Sequence, residues 1–116
     1  MKILIIINDP PYGTERAYNA LRLALSLSKE DYVELKVFLM GDSILCAKAG
    51  QNTPAGYYNI ERMIKGLTVK DIPVGACGSC MDARGIQESD LAAKVHKSSL
   101  EELTKWTLEA EKILIF

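Results

Sequence analysis

Lys2-Ile3-Leu4-Ile5-Ile6-Ile7-Asn8-Asp9-Pro10-Pro11-Tyr12-Gly13-Thr14, near the head of the chain, decides how the rest is read. Ile3 to Ile7 is an unbroken apolar and mostly β-branched run, the pattern of a strand covered on both faces rather than one half open to water. A strand of that kind belongs to a sheet with helices packed on it. The polar stretch from Asn8 to Gly13 ends the strand, and Thr14 is placed to cap a helix with Glu15 in its first turn, where negative charge suits the helix dipole. Ala17, Leu21, Ala24, Leu25 and Ser28 then share one face at helical spacing, which predicts a helix from about Glu15 to Ser28.

The alternation continues outward from there. Val33 to Met40 reads as a second strand, and Gly41-Asp42-Ser43 turns it into a short helix ending near Gly50. Gln51 to Gly56, with Asn52-Thr53-Pro54 and a glycine, is the most loop-like stretch and is expected to be mobile. Helical spacing resumes from Tyr57 through Ile60, Met63, Ile64 and Leu67. Ile72 to Ala76 reads as a third buried strand, and Ala93 to His96 as a short fourth. Ser99 with Glu102 forms a capping box, opening a helix that carries Leu100, Leu103, Thr107 and Ala110. Ile113 to Phe116 is a final strand.

No repeat, linker or composition break interrupts this order. Residues 1–116 therefore read as one α/β domain, a mostly parallel sheet of about five strands with helices on both faces. Ligands in such sheets gather at the carboxyl ends of the strands. Three segments should meet there: Asn8 to Thr14, Gly41 to Ser43, and Ala76 to Gly85. Asn8, Tyr12, Gly13, Gly41, Asp42 and Gly85 are the candidate binding residues among them.

Composition removes several function classes. Fourteen basic residues face fifteen acidic ones, a formal net charge of −1, and the lysines are scattered, so no stripe is built for nucleic acid. The first apolar run is too short for a signal-peptide core, and no run approaches the ~20 residues that span a bilayer. Three cysteines, an odd number with two of them in a C-x-x-C, fit a reducing compartment. A cytoplasmic protein without a membrane partner is the expectation.

The chemistry concentrates in Cys77-Gly78-Ser79-Cys80-Met81-Asp82-Ala83-Arg84-Gly85. The segment follows a predicted strand. If it is helical, Cys77, Cys80 and Arg84 fall on one face. A helix N-terminus and a nearby guanidinium both favour thiolate, the nucleophilic form of cysteine, and two thiols at this spacing can close reversibly on each other. Gly78 and Ser79 between the cysteines suit an exposed turn better than a core. A thioredoxin-type motif would follow an early strand, whereas this one comes after at least two. Cys46, Cys77, Cys80 and His96 are an inventory for zinc, but the second close pair of a structural site is missing; no metal or cofactor is expected. Cys46 reads as core and His96 as a structural residue. The Asn8 to Glu15 loop, stiffened by Pro10-Pro11, carries no phosphate-loop pattern and is expected to rim the cysteine pocket or to serve only as a connector.

N-D-P-P-Y-G-T-E-R after the first strand, F-L-M-G-D after the second, G-Y-Y-N-I-E, C-G-S-C-M-D-A-R-G-I and the W-T-L-x-A-E-K-I-L-I-F ending together resemble the DsrE/DsrF-like family, most closely its YchN-like branch. The order and spacing of the motifs cover nearly the whole chain. The resemblance implies a three-layer α/β/α domain assembling into homotrimers or homohexamers. It also implies a sulfur-relay role, with a persulfide on the cysteine seven residues before an Arg-Gly pair, which is Cys77 ahead of Arg84-Gly85. Cys80 departs from the pattern, since sulfur-relay members usually carry a small residue there.

The expectation is thus a sulfurtransferase-like carrier with Cys77 as acceptor, Arg84 stabilising the anionic sulfur and Cys80 resolving the intermediate. Its partners would be further copies of itself and either donor and acceptor proteins or small sulfane-sulfur compounds. A dithiol–disulfide oxidoreductase using the same pair and a non-catalytic oligomeric binding module are the alternatives.

Overall fold

The computed structural model describes residues 1–116. Five strands form one sheet: β1 (Lys2–Ile7), β2 (Glu34–Leu39), β3 (Val74–Cys77), β4 (His96–Ser98) and β5 (Lys112–Ile115), in the order β4-β3-β2-β1-β5, with every neighbouring pair parallel. The helices are α1 (Arg16–Leu27), α2 (Ile60–Thr68), α3 (Gly78–Ala83) and α4 (Leu100–Glu109), joined by short 3₁₀ segments at Gly41–Ala47 and Glu88–Asp90. No helix is long and apolar enough to cross a membrane.

Right-handed crossovers explain the layers. The connections β1→β2→β3→β4 all step in one direction across the sheet, so their helices fall on one face. Ile3, Ile5, Ile7, Val37 and Val74 meet α1, α2 and the 3₁₀ segment there, in a core of 22 buried residues. Only β4→β5 runs back, which puts α4 alone on the other face. Leu4, Phe38, Leu103 and Trp106 form the small core beneath it. Trp106 is the anchor: its ring meets Phe38 and His96 edge-on at 6.2 and 6.0 Å, and the Lys36 ammonium lies 5.5 Å from its centroid.

Several boundaries differ from the sequence reading for local reasons. The cap of α1 is Glu15; the Thr14 hydroxyl, one residue earlier, donates to Asp9 at 2.8 Å and accepts from the Arg16 N–H at 3.4 Å. α2 starts at Ile60, where the Asn59 side chain accepts from the Arg62 N–H at 2.9 Å. The third strand runs to Cys77 and the fourth is displaced to His96–Ser98, since Lys94 turns with φ 68° just before it. On α4 the buried positions are Leu103 and Trp106, while Leu100 is 73% exposed. The Ser99–Glu102 box is half made. Ser99 accepts from the Glu102 N–H at 3.1 Å, but the Glu102 carboxylate turns to the Ser98 hydroxyl and to His96.

The loop that opens at Gln51 is fastened at its start. The Gln51 amide reaches the Leu45, Cys46 and Lys48 carbonyls at 3.0 to 3.3 Å and accepts from the Tyr12 hydroxyl at 2.5 Å. Buried Glu61 accepts from the Gly50 and Gln51 N–H groups at 3.0 and 2.9 Å and pairs with Lys65. Burial disfavours its charge, but Lys65 and the two N–H groups outweigh that and hold its carboxyl below the usual value. The group's stabilisation is therefore complete above the unfolded carboxyl value of ~4.3 and is lost as pH falls through the lower, folded one. Glu61→Gln should lower stability by about 1–3 kcal/mol at pH 7 and flatten the parent's loss below about pH 5. Urea midpoints at neutral and acid pH measure both, and equal midpoints at pH 7 would remove Glu61 from this role.

Candidate functional site

β3 delivers Cys77 to the carboxyl end of the sheet, where it caps α3 with φ −55° and ψ 117°. One turn on, Cys80 brings its Sγ to 2.8 Å from the Cys77 Sγ. The two thiols are chemically unlike. Burial works against a Cys77 thiolate, yet the Cys80 S–H donates to its sulfur, the Ser79 hydroxyl lies 3.4 Å away and the backbone at the start of α3 favours the anion, so its thiol sits below the ordinary value. Burial, its own donation to Cys77 and the charge there push Cys80 up, against the Gly41 N–H at 3.2 Å and the Arg84 charge. Of the two, Cys77 is thus the one that gives up its proton first, with the Cys80 S–H donating to it.

Arg84 takes a different post from the one its sequence position suggested. Its Nε and one terminal nitrogen donate to the same Asp42 oxygen at 2.9 and 2.8 Å, and the other reaches the Cys80 carbonyl at 3.0 Å. The guanidinium thus clamps α3 to the 3₁₀ segment and steadies Cys80, while hydrogen bonds from Ser79 and Cys80 hold the Cys77 anion. Gly85, at φ 67°, ends α3: the Ile86 N–H returns to the Met81 carbonyl at 3.0 Å in the left-handed turn that glycine permits.

Of the candidate binding residues, Gly41, Asp42 and Gly85 gather around the cysteine helix. Asn8, Tyr12 and Gly13 do not. Asn8 donates to the Phe116 carbonyl, Tyr12 is locked between Gln51 and the Ile60 N–H, and exposed Gly13 bonds within its own turn to Pro11. The first loop is a connector and fastener rather than the pocket rim. Cys46 is buried, directs its S–H to the Asp9 carbonyl at 3.6 Å, and is pushed up to about 12 chiefly by burial. His96 pairs with Glu102 under α4.

Both cysteines open onto a cleft of about 590 Å³ between α3 and the start of α4, floored by Phe38, Met40 and Leu103. Asp82, Lys97 and Ser98 also line it. Sequence reasoning missed this wall because the fourth strand was expected three residues too early. The signal that could have found it is the pairing of Cys77 with Ser98.

The DsrE/DsrF-like family profile matches residues 1–116. Protein YchN of Escherichia coli (strain K12) is 42% identical over 116 residues, covering 99% of this chain and 98% of that protein. The crystal structure of the E. coli ychN protein superposes with a TM-score of 0.93, covering 100% of this chain and 99% of that one. More distantly, a protein named sulfurtransferase TusD, from Buchnera aphidicola subsp. Acyrthosiphon pisum, is 29% identical over 129 residues and all of both chains.

In the folded protein at pH 7, Cys77 should alkylate at least about a hundredfold faster than Cys46, given the difference in thiolate fraction. Mass mapping of the labelled sites measures it; comparable rates would show that Cys77 is not activated.

Proposed function

The chain belongs to the DsrE/DsrF-like family, and on that footing we propose that it is a sulfur-relay protein whose Cys77 accepts a sulfane sulfur and whose Cys80 discharges it. The observation that carries the reading is the asymmetric pair: a thiolate-favouring Cys77 at the mouth of a cleft and a proton-holding Cys80 at 2.8 Å. The Cys77 thiolate attacks the outer sulfur of a donor R–S–SH. A Cys77–S–SH bond forms, the donor S–S bond breaks and R–S⁻ leaves. Because Cys80 stays protonated, the persulfide has time to be passed on. Once Cys80 gives up its proton to solvent, its thiolate attacks the Cys77 sulfur and expels HS⁻. The sulfane sulfur gains the two electrons that the pair loses, and a dithiol reductant must restore it. The distant kinship to a sulfurtransferase supports the first step, and the second thiol supports the other.

The same 2.8 Å approach favours a second reading, a dithiol–disulfide oxidoreductase, whose trapped state is the Cys77–Cys80 disulfide without bound sulfur. A binding module with incidental cysteines traps neither. Unpaired thiols of this kind work in a reducing compartment, so the cytoplasm is the setting this reading requires. Donor and acceptor are either proteins or small sulfane-sulfur compounds.

Self-association belongs to the same proposal. Tyr58 stacks on Tyr18 of its own chain at 4.2 Å, and Tyr57 beside it is exposed. On the α4 side, Ile115 of edge strand β5 is 68% exposed and Leu108 of α4 is 82% exposed. A second copy of the chain would bury that apolar surface.

After exposure to a persulfide donor, Cys80→Ser should hold about one extra sulfur (roughly 32 Da) by intact mass, since the resolving attack is removed. Cys77→Ser should hold none; equal loading of Cys77→Ser and the parent would sink the carrier assignment. Light scattering should give a multiple of 12.8 kDa, and Ile115→Asp should reduce it. A monomeric parent would refute the assembly.

A further inference from the structure

The cleft in front of Cys77 is lined by one cation, Lys97, and one carboxylate, Asp82. Arg84 does not face it, being held by Asp42 and the Cys80 carbonyl. The backbone prepares a place for the Lys97 stem. A Cβ on Gly78 would lie 2.7 Å from the Ser98 carbonyl oxygen and 3.1 Å from Lys97 Cε, so glycine beside Cys77 lets the end of β4 approach α3 closely and leaves the Lys97 stem lying against it. The ammonium is parked on Asp82 at 2.8 Å, with the lysine side chain 42% and the carboxylate 68% exposed. An ion pair as open as this is weak and exchanges readily with another anion. The cleft floor is apolar, so a charged guest finds no other counter-ion among the lining residues.

We propose that Lys97 is the specificity-determining residue of the cleft, leaving Asp82 to bind the anionic group of a low-molecular-weight sulfane-sulfur donor and so bring its outer sulfur to Cys77. The choice of donor rests on the sulfur-relay reading; the electrostatic role of Lys97 does not. For a carboxylate-bearing persulfide, the Cys77 thiolate takes the outer sulfur, the donor S–S bond breaks and the donor leaves as its thiolate. Lys97 neutralises the charge that two anions bring together during the attack, and the apolar floor accepts the carbon chain. Neutral donors gain nothing from it.

The role of Lys97 is read first without any sulfur transfer. Cys77 is alkylated with iodoacetate, which is anionic, and with iodoacetamide, its neutral counterpart, at low ionic strength. Lys97→Met should lower the iodoacetate-to-iodoacetamide rate ratio by about three- to tenfold with little change for iodoacetamide. Lys97→Arg should keep the parent ratio. Asp82→Asn, which removes the competing carboxylate, should raise it. An unchanged ratio in Lys97→Met overturns the proposal, whatever Asp82→Asn does.

The donor class is then read by loading Cys80→Ser with the persulfide of 3-mercaptopropionate or that of 2-mercaptoethanol. Faster loading by the first, lost when Lys97→Met is added, supports an anionic donor; equal loading by both overturns it. If neither persulfide loads Cys77, the sulfur-relay reading falls together with the donor class, whereas the alkylation ratio still decides what Lys97 does.

Discussion

The handedness of a parallel crossover is the constraint on which this molecule rests. A chain that steps three times in one direction across a sheet must lay its connections on one face, and only a return step can cover the other. Here the return step supplies ten helical residues, Leu100–Glu109, for a face five strands wide. One side of the sheet thus has a 22-residue core and the other a core of four. The cysteine cleft exists because α4 is too small to fill the space that Phe38, Met40 and Cys77 leave open. The site is less a pocket carved into a fold than the part of a layer that was never completed.

Within that gap, the two sulfurs divide the work through their neighbours. Cys77 and Cys80 are the same residue type one helical turn apart, yet the first stands at the mouth of α3 beside the Ser79 hydroxyl, while the second spends its own proton on the first. The asymmetry follows from the chain entering α3 at Cys77. The residue at the start of a helix meets N–H groups without partners, and the residue one turn in does not. Arg84 contributes from outside, holding Cys80 and Asp42 in register rather than facing the reactive sulfur.

Most of the fold was legible because it is written in periodicity. The β1 run, the α1 stripe and the C-x-x-C after a strand all depend on local pattern, and each stands where the sequence put it. What failed depended on contacts between distant residues. Thr14 has the chemistry of a cap and does accept from the Arg16 N–H, but its proton goes to Asp9 and the cap position falls to Glu15. Leu100 has the spacing of a core residue, but the only cover on that face turns Leu103 and Trp106 inward. Displacement of the fourth strand hid Lys97 and Ser98, because nothing local tells Ala93 from His96 as a strand start. Arg84 has the spacing to share a helix face with Cys77, but its partner Asp42, forty-two residues away, turns it to the Cys80 carbonyl.

Gln51 carries a consequence of another kind, one of chemical ageing. Its amide is used at both ends: the nitrogen faces the carbonyls of Leu45, Cys46 and Lys48, and the oxygen receives the Tyr12 hydroxyl and the Glu61 N–H. Hydrolysis of that single amide to a carboxylate changes hardly a bond length, yet it would aim negative oxygen at three carbonyls and bring a second acid beside Glu61. The shape of the loop would be kept and every polarity at its nitrogen end reversed. A molecule altered there would come undone at a residue with no part in the sulfur chemistry.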